Sequence, residues 1–405
     1  MKIAWLSNPP YTYSGYGVQS KYFIKRLQRD GHQVVAVVNR QLDDGPAMRI
    51  DGIYCFPGGH GRWLNDDFHW GWRGLLKAVE MLKPEISFSL FDVWSFPANL
   101  GKLIEDMGSI WTPITPIDHD PIPPSVLARL KDLKYPVAMS EFGQKKMKEA
   151  GCQTPAYIPH GVDTNLYRPH PMNPNIKDMM GGRNKFVIGI VAANRSTYDR
   201  KAWSENLKAC AIFRKRHPED TSVYAHTIAN GVDFGLDLNM MGSQFGLEFI
   251  VPDLWQMIEG FPDFRMVELY NCFDVLLLAS RGEGFGIPLI EAQACGVPVI
   301  TTNFSTGPEL VGPGWLVEPQ SKYYDEQYSY QVIPSVDDIV RSLEEAYQEW
   351  KGGKLSERKA EARKFAMKYD IERIYNIYMI PFLEEVMRYR ALPKKKEKKK
   401  NGTKK

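Results

Sequence analysis

The chain has 405 residues, 43% hydrophobic and 24% charged. This globular balance excludes wholesale disorder, collagen and coiled coil, and at about 150 residues per domain there is material for two or three domains with full cores. The net charge is +3, but the last twelve residues alone carry +7 and the body sums to −4, so the basic balance does not indicate a nucleic-acid-binding fold.

Residues 3–6 read as a strand that follows the first methionine directly, so no leader peptide is expected. Ser14-Gly15-Tyr16-Gly17 reads as a glycine-rich loop, and 18–29 as a helix with Phe23, Ile24 and Leu27 on one face, closed by Gly31. The run 34–38 has the continuous apolar character of a strand buried on both faces. Strands at 86–91, 110–114, 137–139 and 157–159 continue the series, and Ser140 is placed to cap a helix running to Gly151. Residues 168–174, rich in proline, read as a linker, with Gly181-Gly182 after them. The alternation then restarts, with strands at 186–191, 222–225, 275–279 and 299–301. The helices of this half fall at 203–215, 266–271, 288–295, 336–350 and 356–367. The fold expected is α/β, two Rossmann-like doubly wound halves. A last helical pattern, 371–389, contains Pro381, which should bend or split it. From Pro393 onward the lysine tail lacks apolar content and reads as disordered, with peripheral contact to an anionic membrane as the other use of such a charge run.

No apolar run approaches the roughly 18 residues of a membrane span. The five cysteines, Cys55, Cys152, Cys210, Cys272 and Cys295, are widely spaced and form no CxxC. That pattern indicates neither a zinc site nor a disulfide framework and fits a reducing compartment, the cytoplasm.

Chemistry concentrates after the strands. In 280–292, Gly284 and Gly286 let the backbone approach a ligand. The amides of Phe285, Gly286 and Ile287 then stand at a helix N-terminus, which suits a phosphate or a sugar hydroxyl. Glu283 in the loop and Glu291, expected in the first helical turn, converge on the same end. The plainer reading is a glycine-rich turn with two solvent-facing acids. In 194–201, Arg195, Arg200 and Lys201 put three cations at a strand end, a clamp for a diphosphate or simply a charged loop. Gly15 and Gly17 hint at a dinucleotide turn, but seven residues separate Ser7 from Gly15 and Ser20 replaces the third glycine. Arg40 would suit a 2′-phosphate, which keeps an NADP-dependent oxidoreductase as an alternative. Asp118-His119-Asp120 follows a strand whose end faces the crevice, and any of the three is a candidate. It is also a literal DxD metal pattern, without companion ligands. Asp92 and Trp94 follow another strand of the first half. Trp63, Phe68, Trp70 and Trp72 are read as local packing, with stacking on a sugar or contact with a membrane surface as the rivals.

The stretch EGFGIPLIEAQACGVPV, Glu283 to Val299, resembles the EGFGxPxxEAxAxGxPV signature of the retaining GT-B glycosyltransferases, family four, also called glycosyl transferases group 1. Residues 158–163, IPHGVD, resemble that family's hinge segment PNGVD with His160 in place of Asn. The resemblance covers nearly the whole chain and implies two Rossmann-like domains facing a cleft, with a C-terminal helix crossing back. The division expected is 1–168 for the N-terminal acceptor domain, 169–184 for the linker and 185–368 for the donor domain. The crossing helix is expected at 369–390 and the basic tail at 391–405. It further implies that Glu283 contacts the donor sugar and Glu291 the nucleotide ribose. Arg195 and Lys201 hold the diphosphate, with Arg200 the third candidate, and Gly15 and Gly17 approach it across the cleft. His119 sits near the sugar, and Asp92, Trp94 and Asp118 lie on the acceptor side. The expected activity is retaining transfer of a sugar from a nucleotide diphosphate sugar to a hydroxyl acceptor, with no cofactor and no metal. A nucleotide-sugar epimerase and a sugar-nucleotide-binding protein without turnover are the alternatives on the same fold.

Overall fold

The computed structural model describes residues 1–39, 47–59, 70–195, 198–231 and 235–392. Arg40, Trp63, Phe68 and the lysine tail lie outside the described residues.

The first sheet is built on largely buried strands. β1 (Lys2–Ser7) and β2 (Gln33–Val38) pair in parallel, and after its first residue β1 is buried throughout. β3 (Met48–Ile50), β4 (Ile53–Pro57), β5 (Ile86–Leu90), β6 (Ile110–Thr115), β7 (Val137–Ala138) and β8 (Ala156–Tyr157) complete the order β3-β4-β2-β1-β5-β6-β7-β8. Only β3 runs antiparallel to its neighbour, β4. β1 has β2 on one side and β5 on the other, so the chain winds outward in both directions and the crevice opens at the carboxyl ends of β1 and β5. Trp5 anchors this core, with its ring 5.8 Å from Phe23 and 5.0 Å from Phe88. Its indole N–H donates to Ser20 Oγ at 2.9 Å, so the buried donor is satisfied.

The second sheet repeats this plan. β9 (Phe186–Val191), β10 (Thr221–His226), β11 (Val275–Leu278), β12 (Val299–Thr302) and β13 (Trp315–Val317) form an all-parallel sheet in the order β10-β9-β11-β12-β13. Its switch point lies between β9 and β11. The fold is therefore α/β with two Rossmann-like domains. An antiparallel hairpin, β14 (Pro319–Tyr324) and β15 (Tyr330–Pro334), belongs to neither sheet.

Two local expectations change and a third holds. The helix expected at 18–29 begins at Gly15, because Ser14 Oγ accepts the Gly17 N–H at 3.2 Å and caps it. Gly15 and Gly17 are thus the first helical turn and not a loop. At Gly17 a Cβ would stand 2.6 Å from the Pro9 carbonyl oxygen, so glycine permits the close return of the chain. The proline-rich stretch leads into a short helix, Pro174–Met179, whose Lys177 is buried against Asp274 at 2.8 Å. The pattern at 371–389 is split as Pro381 requires. A π-helical turn, Tyr375–Met379, precedes the helix Ile380–Ala391, and at its end the Ile380 N–H donates to Tyr375 O.

That last helix packs on the first domain. Phe382 lies 6.2 Å from Phe88 and 6.0 Å from Tyr135, ring centre to ring centre. Arg390 donates to the carbonyls of Glu85 and Gly108. The chain therefore crosses between domains twice, and the crossings run side by side: Val162 N–H donates to Tyr369 O at 2.9 Å and Ile371 N–H to Val162 O at 3.0 Å. Among the described residues no helix is long and apolar enough to cross a membrane.

Candidate active site

Loops at the carboxyl ends of the two sheets touch. A Cβ on Gly284 would stand 2.1 Å from Pro116 Cβ, one on Gly282 2.4 Å from the Asp118 carbonyl, and one on Gly15 3.2 Å from Ile287 Cδ1. Glycine at 282 and 284 is what lets the loop after β11 lie against the loop after β6. At Gly15 two helix N-termini approach, those of Gly15–Arg29 and Ile287–Ala294. Both present positive dipole ends.

Glu283 is the centre of the polar cluster formed there. It is 8% exposed. Its Oε1 accepts from Lys201 Nζ and, at 2.6 Å, from Ser280 Oγ. Its own N–H donates to Ser305 Oγ at 3.0 Å, and Arg200 Nη1 lies 3.4 Å from Oε2. Burial pushes the Glu283 carboxyl up, but Lys201 and Arg200 outweigh it and hold the group below the usual carboxylate range. Burial, joined by Arg200, draws the Lys201 ammonium below its ordinary value in spite of Glu283. Arg200 stays firmly charged: burial opposes this, but Glu283 and Asp118 prevail.

The turn that aims these cations is strained. Asp199 and Ala202 both have positive φ, +52° and +50°. The Asp199 carboxylate offsets this by accepting the Trp203 N–H at 2.7 Å and the Ser204 N–H at 3.1 Å at the start of the helix Trp203–Arg216. Arg200 stands with Lys201 at Glu283, which the sequence left to the third candidate; Arg195 lies before the turn, is exposed and makes no ion pair among the described residues.

Glu291 is not brought to Glu283 by any contact. It is the fifth residue of its helix, so it lies beyond the first turn, with Pro288 at the second position. Its Oε2 accepts from Tyr270 Oη at 2.8 Å. Burial, with help from Asp263, pushes its carboxyl up to about 7 against the Tyr270 bond. Phe285 is buried with its ring 5.1 Å from His160, and its carbonyl accepts from Thr306 Oγ1 at 2.6 Å. Gly286 has φ +99°, the left-handed conformation that starts the helix at Ile287.

From the first domain come Asp92, Tyr16, Asp118 and His119. Tyr16 Oη donates to Asp92 Oδ2 at 3.3 Å. Burial and then Asp118 raise the Asp92 carboxyl to about 6. Asp118 Oδ2 lies 3.9 Å from Arg200 Nη1. His119 has no exposed surface; Nδ1 bonds Asp118 Oδ1 and Nε2 bonds Asp325 Oδ2, each at 2.7 Å. Burial opposes the charged ring, but the two carboxylates win and raise its pKa. Both ring nitrogens are thus engaged within the protein. The other acid of the DxD triplet, Asp120, pairs with Lys146 at 2.8 Å, so the two carboxylates serve different cations. Trp94 is 43% exposed and packs edge-on to Trp70 at 5.6 Å. Trp70 also lies 5.4 Å from Phe91, which is the local packing expected of it.

Sequence reasoning missed Tyr16, Ser280, Ser305, Tyr270 and Asp325. Ser280 had a local signal, three residues before Glu283; Asp325 had none, lying 206 residues from its partner.

Residues 250–351 match the family described as Glycosyl transferases group 1. O-antigen chain mannosyltransferase B of Escherichia coli is 38% identical over 76 residues, which is 16% of this chain and 20% of that protein. The chain thus aligns with about a fifth of that relative's length. Sucrose-phosphate synthase from Thermosynechococcus elongatus superposes with a TM-score of 0.73 at 15% identity, over 96% of this chain and 100% of the other. Anabaena HepE in complex with UDP-glucose gives 0.68 at 16% identity, over 95% and 100%. The fold is that of the GT-B glycosyltransferases, and the second domain carries a glycosyl transferases group 1 segment.

Proposed function

We propose that this chain, a group 1 glycosyltransferase of the GT-B fold, moves a sugar from a nucleotide diphosphate sugar to an acceptor hydroxyl with retention and without a metal. The observation that carries the reading is the Glu283–Lys201–Arg200 cluster, set where two helix N-termini and the carboxyl ends of both sheets meet. The complex of HepE with UDP-glucose supports a nucleotide-sugar donor.

The chemical problem is heterolysis of an anomeric bond. Negative charge develops on the departing diphosphate, and Lys201, Arg200 and the N-terminal amides of the helix Ile287–Ala294 are preorganised donors for it. Arg195, which is exposed, is assigned with Lys201 to the diphosphate, and Arg200 joins them. Positive charge develops on the sugar, and the ionised Glu283 both bonds a sugar hydroxyl and faces that charge. In the same-face route the leaving phosphate takes the acceptor proton as the new bond forms. Glu291, with Tyr270, is assigned to the ribose. Asp92, Asp118 and Trp94 are assigned to the acceptor side, and the touching loops exclude water as a competing acceptor. The wide spacing of the five cysteines, with no CxxC, is the ground for placing this activity in a reducing compartment.

The test is a thermal-shift panel of UDP-, GDP- and ADP-sugars followed by donor turnover in Glu283→Gln and Lys201→Ala. Each substitution is expected to lower turnover by about 100-fold or more. Near-normal turnover in both would remove the assignment. Donor conversion without any acceptor, to an isomeric sugar, would point to an epimerase instead.

A further inference from the structure

We propose that Asp325, at the tip of the β14–β15 hairpin, is a positioning residue for the transfer: it holds His119 from the side opposite Asp118 and thereby fixes Asp118 against Arg200. The inference rests on the reading of this cleft as a sugar-transfer site.

The hairpin belongs to neither sheet, yet it is bonded to both domains. On the second domain, Val332 N–H donates to Arg281 O at 3.0 Å and Tyr198 Oη donates to Gln331 Oε1. Tyr323 stacks on Tyr198, and the Arg281 guanidinium lies 5.0 Å from its ring centre. These partners sit in the loops after β9 and β11, the loops that carry Arg200 and Glu283. On the first domain, Asp120 N–H donates to Tyr330 O at 3.0 Å and Ser329 Oγ donates to Pro121 O. Gln331 Nε2 donates to Asp118 O at 3.4 Å. The hairpin is therefore a strap across the mouth of the cleft.

Asp325 is aimed by its own turn. Its Oδ1 accepts the Gln327 N–H at 2.9 Å, leaving Oδ2 for His119. An imidazole between two carboxylates must donate from both nitrogens, so the ring carries a proton on each. The result is an alternating row across the cleft: Asp325, His119, Asp118, Arg200, Glu283, Lys201. The charged and titratable groups around the ring are Asp118 from its own loop and Asp325 from the hairpin, with Arg200, Asp92 and Tyr198 behind these carboxylates. Without Asp325, Nε2 has no acceptor, the ring gives up its second proton at lower pH, and Asp118 loses the cation that sets its orientation.

The experiment uses full-length Asp325→Asn and Asp325→Glu. The His119 ring is followed by nitrogen NMR, assigned by its loss in His119→Gln. Binding of UDP and GDP and turnover of UDP-glucose and GDP-mannose are measured alongside. Asp325→Asn is expected to lower kcat by about 10- to 100-fold, the loss typical when the partner orienting a functional histidine is removed. Nucleotide affinity is expected to stay unchanged, and the alkaline limb of the pH–rate profile and the His119 titration to move to lower pH. Asp325→Glu is expected to recover part of both. An unmoved His119 titration in folded Asp325→Asn, or a wild-type kcat and pH profile, overturns the proposal. If the wild-type chain binds and turns over no nucleotide sugar, the sugar-transfer reading fails by itself, while the His119 titration still decides the coupling to Asp325.

Discussion

Glu283 and Glu291 belong to one motif, but their surroundings give them opposite character. Glu283 is held ionised by Lys201 and Arg200, whereas Glu291 faces tyrosine and another acid and is raised to about 7. A carboxyl raised in the folded state contributes stability that is fully present below the usual carboxylate pKa and is lost as pH rises through about 7. Glu291→Gln is therefore expected to be more stable than the parent by about 1–2 kcal/mol at alkaline pH. The difference should shrink toward about pH 5, while nucleotide affinity falls at every pH. Melting temperatures across that range, with and without nucleotide, check both signs; a variant that loses stability at high pH contradicts the burial argument. The same scale shows why Arg195 was the cation expected from the sequence. Arg195 and Lys201 are the pair the family resemblance matches, with Arg200 the third candidate. What separates the two arginines is that Arg200 is flanked by two positive-φ residues, Asp199 and Ala202, whereas Arg195 lies before both. Neither is a glycine, so nothing in the residue types announced the turn.

Among elements, the crossing segments depend on one small residue. Gln19 Nε2 donates to Gly161 O at 2.7 Å and Gly161 N–H donates back to Gln19 Oε1 at 3.0 Å, while Ile371 packs on the other side. A Cβ at Gly161 would lie 2.8 Å from Ile371 Cα. Gly161→Ala is expected to destabilise the protein by about 1–3 kcal/mol. Denaturant midpoints would register it, and a neutral result would mean that the crossings slide freely. Elements whose signal is local were legible in the sequence. Val275–Leu278 is an unbroken apolar run leading into a proline-started helix, and Ser140 caps Glu141–Glu149 as its type suggests. β14 and β15 were not legible, because PQSKYY has no buried residue, YQVIP is short and ends in proline, and the two pair only with each other. Ser14-Gly15-Tyr16-Gly17 was misread because glycine usually marks a loop; here the capping serine outweighed the two glycines.

At the scale of the whole molecule, closure is set by backbone approach as much as by side-chain bonds. Gly284 lets the signature loop rest on Pro116 of the other domain. Gly284→Ala should leave each domain folded but wedge them apart. The expected outcome is a larger radius of gyration in solution scattering, with turnover reduced by about tenfold or more. An unchanged radius with full turnover would show that the contact is not needed. Glu309 acts on the same boundary, its Oε2 accepting the Glu141 and Phe142 amides at the start of a first-domain helix. Because the final helix returns to the first domain, both ends of the described chain lie on the same domain. Dyes attached at the two ends would keep a constant separation however far the jaws swing. Any sensor of opening has to carry one of its labels between β9 and the helix Leu355–Ala366.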